Sequence, residues 1–155
     1  KLKQWLDTRK SFIEQNGYTY SFFGRKRRLR EVESPNRGVK QHAIRSGFNF
    51  LIQSVASDIN IMAFIEAMKW ISDNGHQNDI LPFALVHDSV VAEVRIDLVP
   101  IWIKTLKGFV QKDRGIMIPN CPIEMEFEVG PSWGELTKIK DEVTLAELQT
   151  ILNEN

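Results

Sequence analysis

The stretch LPFALVHDSVVAEV, residues 81–94, decides the fold. Two apolar runs, LPFALV and the Val-rich SVVAEV, read as strands, and they meet tightly at His87-Asp88. Strands joined by so short a connection form an antiparallel hairpin. Asp88 has two readings here. It can satisfy turn backbone groups, as Asp often does. Alternatively, a carboxylate fixed on a rigid hairpin suits a hard cation such as Mg²⁺, which prefers oxygen ligands and is held by few protein groups.

Working outward, LKQWLDTRKSFIEQNGY places Leu2, Trp5, Leu6, Arg9, Phe12 and Ile13 at helical spacing, stopped by Asn16-Gly17. YTYSFFGRKRRLREV predicts a short extended pair broken at Gly24, and ESPNRG a loop. The longest helical pattern runs from about Lys40 to Ser72, with Ile44, Phe48, Ile52, Val55, Ile59 and Met62 forming one apolar stripe. After the turn-formers SDNGHQND and the hairpin comes a second amphipathic helix, DLVPIWIKTLKGFVQKD, where Pro100 is tolerable only near the first turn. IEMEFEVG alternates as a half-exposed strand. TLAELQTIL opens with Thr144 and Glu147 at capping-box spacing and predicts a short terminal helix. This order is α+β: an antiparallel sheet packed against one long and several shorter helices.

A length of 155 residues, 43% of them hydrophobic and 26% charged, suits one ordinary globular domain. No apolar run approaches the ~20 residues that span a bilayer, and KLKQWLDTRK is not a signal peptide. The single Cys121 excludes an intrachain disulfide and a Cys-based zinc site, which points to a reducing compartment. A start at Lys1 without Met suggests a piece of a longer polypeptide. Net charge is zero, but residues 1–45 carry 12 Lys/Arg against 4 Asp/Glu, and residues 46–155 carry 8 against 16. That split allows a basic front for a polyanion and an acidic back.

Besides the hairpin, two constellations bear on chemistry. GRKRRLR, residues 24–30, sets five cations on a Gly-opened turn, which is either a phosphate-gripping surface or a solvated charge run. Arg45, Asn49 and Gln53 recur every four residues as a polar ridge on the long helix. Their donors suit base edges in a minor groove, and the alternative is a solvent face. Gly47 beside them could admit a close backbone approach. His42 and His76 have no partner at metal-ligand spacing and read as surface residues.

Taken in order, GYTYSFFGRKRRLREV, AIRSGFNFLIQSVASDI, LVHDSVVAEV and EMEFEVGPSW resemble the C-terminal part of family A DNA polymerases over roughly residues 5–133. The resemblance implies a palm-type antiparallel sheet in which residues 81–94 are the motif C hairpin. Asp88 would bind the catalytic divalent ions, and His87 would lie beside the primer terminus. Arg45, Asn49 and Gln53 would face the nascent duplex, Arg25, Lys26, Arg27 and Arg28 would hold the nucleic-acid backbone, and Asp58 would be structural. The chemistry implied is two-metal phosphoryl transfer with Mg²⁺. The implied partners are primer-template DNA, deoxynucleoside triphosphates bound through other segments, and the rest of the polymerase chain, with no membrane.

The family's second metal-binding Asp and its nucleotide-binding fingers helix are not in the sequence, so the chain alone should not polymerise. Ser89 stands where many members have Glu, which suits a phage or organellar member, in the host cytoplasm or an organelle. Residues 134–155 run past the point where many members end and form an expected C-terminal extension. The alternative function is a non-catalytic DNA-binding module derived from a polymerase.

Overall fold

Asn36 starts the longest element. In the computed structural model, which describes residues 1–116 and 120–154, its Oδ1 accepts from the backbone N–H groups of Gly38 (2.8 Å) and Val39 (3.3 Å). This side-chain cap satisfies donors that a helix start leaves open. Helix α2 therefore runs Arg37–Asp73, three residues earlier than the composition of ESPNRG suggests. It contains an 18-residue window of mean hydropathy 1.4, apolar enough by length and composition to cross a membrane. That window is 28% buried, and α2 supplies buried residues to two separate cores: Ala43 and Ile44 to one, Ala67 and Ile71 to the other.

The chain divides into two units, Lys1–Ile59 and Asn60–Asn155. The charge split follows them: 12 Lys/Arg against 5 Asp/Glu in the first, 8 against 15 in the second. The strands lie in three two-stranded antiparallel pairs among the described residues.

In the first unit, helix α1 (Leu2–Asn16) stops at Gly17, whose φ of 66° few side chains accept, with the Gly17 N–H donating to Ile13 O at 2.9 Å. Strands β1 (Tyr18–Tyr20) and β2 (Lys26–Arg28) follow, paired Tyr18↔Arg28, Thr19↔Arg27 and Tyr20↔Lys26. Ile13, Leu29, Val32, Ala43 and Ile44 form the core, with Phe48 against it. Gly47 belongs to this core: a Cβ there would come within 2.7 Å of Leu29 Cδ1 and 2.8 Å of Ile13 Cδ1. Its small size therefore serves packing inside the protein. Ile52 leaves the expected apolar stripe. It is 70% exposed, because the buried side of α2 has rotated past it after Ile44.

In the second unit, β3 (Ile80–Val86) and β4 (Ser89–Val94) form the hairpin, with a bulge between Pro82 and Ala84. Ala67, Ile71, Ile80, Trp102 and Leu106 pack beneath it, flanked by Val90, Ala92 and Val94. Arg95 closes the base, donating to Asp79 at 2.6 Å and to both oxygens of Asp97 at 2.7 and 3.0 Å. Those bonds hold Asp97 below its ordinary carboxylate pKa and raise that of Arg95, each chiefly through the Arg95–Asp97 hydrogen bond. Helix α3 (Val99–Val110) has Pro100 in its first turn, as expected. Glu66 of α2 clamps the segment after α3, accepting from Lys112 and Arg114, both at 2.7 Å.

The expected strand over 123–130 is confined to β5 (Phe127–Val129), the part that meets β6 (Thr137–Ile139). Ile123 O instead accepts from Gln111 Nε2 at 2.8 Å. Residues past 133 are thus woven into the unit. Val143 and the fully buried Leu148 of helix α4 (Leu145–Glu154) pack with Val99 and Ile103; burying such a side chain contributes about 1.5–3 kcal/mol. Asp141 pairs with Lys107, which lowers its pKa. Asn155, the last residue of the expected extension, lies outside the described residues.

The capping box forms: Glu147 Oε2 accepts from the Thr144 N–H (2.8 Å) and hydroxyl (2.7 Å), and the Glu147 N–H donates back to Thr144 Oγ1 at 3.3 Å. The Glu147 carboxyl is held below its ordinary value, first by that backbone N–H. A carboxyl depressed by folding contributes stability above its unfolded pKa and loses it as pH falls through the folded pKa. Acidification should therefore fray the first turn of α4, read as a lower amide protection factor at Glu147 once the pH dependence of the unstructured exchange rate is divided out. Glu147→Gln should remove this part of the acid response and leave that of Asp141; an unchanged acid response would show that the box contributes nothing.

Candidate metal and nucleic-acid surfaces

The tip of the β3–β4 hairpin is built from strain and one tether. Val86 pairs with Ser89, so His87 and Asp88 alone make the turn. His87 has φ of 55° while Asp88 has none of the positive-φ character, the sign pattern of a type II′ turn, where Gly is the usual first residue. Such a conformation costs about 1–3 kcal/mol and persists where the surroundings fix it. One fixing contact is Asn60, whose Nδ2 donates to the Asp88 carbonyl at 3.3 Å. The Asp88 side chain is exposed, and among the described residues no hydrogen bond or ion pair engages its carboxylate. That leaves two oxygens free to meet a cation. No group of three or more His, Cys, Asp or Glu residues that could hold a metal ion occurs among the described residues. Asp88 alone could offer a cation one carboxylate ligand.

In the first unit, the basic run reaches α2 at Ser46 and Phe50, each one residue after a member of the ridge. Arg45, Asn49 and Gln53 are all exposed on α2. Arg27 of β2 donates to Ser46 Oγ at 2.8 Å, and the guanidinium groups of Arg25 and Arg27 lie 5.4 and 5.5 Å from the Phe50 ring centroid. Arg25 also pairs with Asp58 at 2.8 Å, and the Asp58 side chain is only 10% exposed. Arg25 is therefore committed to bracing the turn against α2. Lys26 and Arg28 point to the opposite face of the ribbon from Arg27 and are exposed. The pairing partner of Asp58, the tether Asn60 and the left-handed His87 escaped sequence reading. The resemblance marked Asp58 as structural, but nothing in its spacing from Arg25 links the two.

Comparison with known proteins supplies the class: the chain is similar to DNA polymerases. The model of DNA polymerase family A matches residues 1–135, and the chain belongs to that family. It is 45% identical over 126 residues to the DNA polymerase of Escherichia phage T5, covering 81% of this chain and 15% of that protein. It is 31% identical over 131 residues to DNA polymerase I of Pseudomonas aeruginosa, covering 84% of this chain and 14% of that protein. Among solved structures, it is similar to the POL domain of Pol1 from M. smegmatis in complex with DNA primer-template and dNTP. That match has a TM-score of 0.62 and 28% identity, and covers 70% of this chain and 19% of that chain. The chain thus spans about 15% of the length of the curated relatives it matches.

Proposed function

We propose that this chain is the segment of a family A DNA polymerase that contributes the motif C carboxylate and part of the primer-template surface. The observation that carries this reading is the hairpin tip: a strained His87, a tethered Asp88 carbonyl and a carboxylate left unengaged. Asp88 is one ligand for Mg²⁺, which when bound supplies charge stabilisation and nucleophile activation for phosphoryl transfer. The remaining carboxylate and the deoxynucleotide contacts come from other segments of the polymerase, so the chain by itself does not extend a primer. Support for further segments comes from Leu81 and Phe83, 44% and 63% exposed on β3, and from Ser54 Oγ and Asp58 Oδ2, buried with no partner among the described residues.

His87 borders the primer terminus. Arg45, Asn49 and Gln53 donate to the acceptors of the duplex minor groove, and Lys26, Arg27 and Arg28 neutralise phosphates, with Arg25 acting through the Asp58 brace. The absence of an acidic cluster among the described residues favours a second reading, a non-catalytic DNA-binding segment. The ridge is tested in the full-length polymerase. Arg45→Ala and Gln53→Ala should each weaken extension from a matched primer terminus by about tenfold, the loss of one hydrogen bond to a minor-groove acceptor. Unchanged kinetics in both variants would make the ridge a solvent face.

A further inference from the structure

The outer face of the β1–β2 ribbon alternates aromatic rings with cations. Directly opposed residues on paired strands share a face, so the register puts Tyr18 with Arg28 and Tyr20 with Lys26 on one side. Thr19 and Arg27 take the other side, where Thr19 is buried and Arg27 reaches Ser46. Lys26 Nζ lies 3.6 Å from the Tyr18 ring centroid and 5.8 Å from that of Tyr20. At the tip, Phe22 is 59% exposed and meets Phe23 edge-on, with centroids 5.1 Å apart.

The tip is held in shape: Ser21 N–H donates to Arg25 O at 2.8 Å, Gly24 N–H to Ser21 O at 3.0 Å, and Arg25 N–H to Ser21 Oγ at 3.0 Å. Gly24 takes φ of 86° to close it. An exposed phenyl ring on a fixed loop is costly to leave in water and loses little entropy when something stacks on it. Residues 18–30 carry five cations and no carboxylate, which selects a polyanion over a basic or neutral partner, and the exposed Phe22 and Tyr20 rings favour one with flat apolar faces.

We infer that this ribbon is a binding site for single-stranded nucleic acid, with Phe22 and Tyr20 stacking on unpaired bases and Lys26 and Arg28 on the phosphates beside them. The inference rests on the polymerase reading. A primer-template exposes base faces only in its overhang, so the occupant is the unpaired template strand. Stacking of this kind is indifferent to base identity because every base has a π-face.

The test uses the full-length polymerase and primer-templates carrying 2-aminopurine at each of the first several unpaired template positions. The wild type should quench the probe at one or two of these. Phe22→Ala should release that quench and weaken binding to overhang substrates about tenfold, with blunt-duplex affinity and the salt dependence kept. Phe22→Trp should restore both. Combined Lys26→Ala and Arg28→Ala should instead flatten the salt dependence by about 0.7 log units per cation removed. An unchanged quench in Phe22→Ala, or an equal loss on blunt and overhang substrates, would overturn the inference while the polymerase reading stands. The equal loss would assign Phe22 to packing against another protein segment. Failure of the wild type to bind any primer-template would overturn both.

Discussion

Asp88→Ala in the polymerase that contains this chain is expected to lower primer extension at least about a thousandfold, the several kcal/mol of transition-state stabilisation a metal ligand underwrites. Thermal stability and duplex binding should stay near wild type. The exposed carboxylate engages no other group among the described residues, and Asn60 holds Asp88 by its carbonyl, which Ala retains. Exposed substitutions of that kind shift stability by about 0.5 kcal/mol or less, so loss of extension could not be ascribed to unfolding. Asp88→Asn keeps the shape and removes the charge, and should fall as far. Extension at the wild-type rate by the Ala variant would return Asp88 to the role of a turn residue.

The second large effect concerns folding. Gly130→Ala should destabilise the second unit by about 3 kcal/mol, read as a lower urea midpoint. A Cβ on Gly130 would run into the carbonyl oxygen of Glu135, with Glu135 C at 2.8 Å and Leu136 Cα at 3.1 Å. All three are backbone atoms, so no side chain can rotate away. The turn is also fixed by the Glu135 N–H on Ser132 O and by the Ser132 hydroxyl on Glu135, both at 3.1 Å. Relief has to come from parting β5 and β6, and their Phe127, Val129 and Ile139 pack against the cluster that buries Leu148. The same strain should free α4 and speed proteolysis after Trp133 or Leu136. Gly134 has nothing within 4 Å of a Cβ, and Gly134→Ala is the matched control. Equal midpoints for the two variants would contradict this account of the turn.

The elements that were legible share one property: their signals are local. Apolar spacing marked α1 and α2, Asn16-Gly17 and the Thr144–Glu147 box marked helix ends, and the two apolar runs marked the hairpin. What local pattern could not carry was the choice of partner. Gly47 sits beside the polar ridge in sequence, but its missing side chain faces Ile13 and Leu29. Ile52 follows Ile44 by eight residues, about 80° past two full turns of an α-helix, and so leaves the buried side. Arg25 looked like one more cation in a run, until a carboxylate 33 positions later claimed it. In the tail, β6 has too short a pattern to announce itself and exists because β5 is there to pair with it. The candidate site divides the same way. His87 and Asp88 were readable as residues in a tight turn, whereas the left-handed backbone of His87 and the Asn60 tether belong to the folded chain alone.

The claim on which the account turns is that the Asp88 carboxylate meets a divalent ion. Iron-mediated affinity cleavage of the full-length polymerase measures this directly, since Fe²⁺ in a Mg²⁺ site cuts the backbone beside it. A cut is expected within Val86–Ser89, suppressed by excess Mg²⁺ and abolished by Asp88→Ala. A polymerase that shows no cut in that segment, or the same cut with and without Asp88, would contradict it.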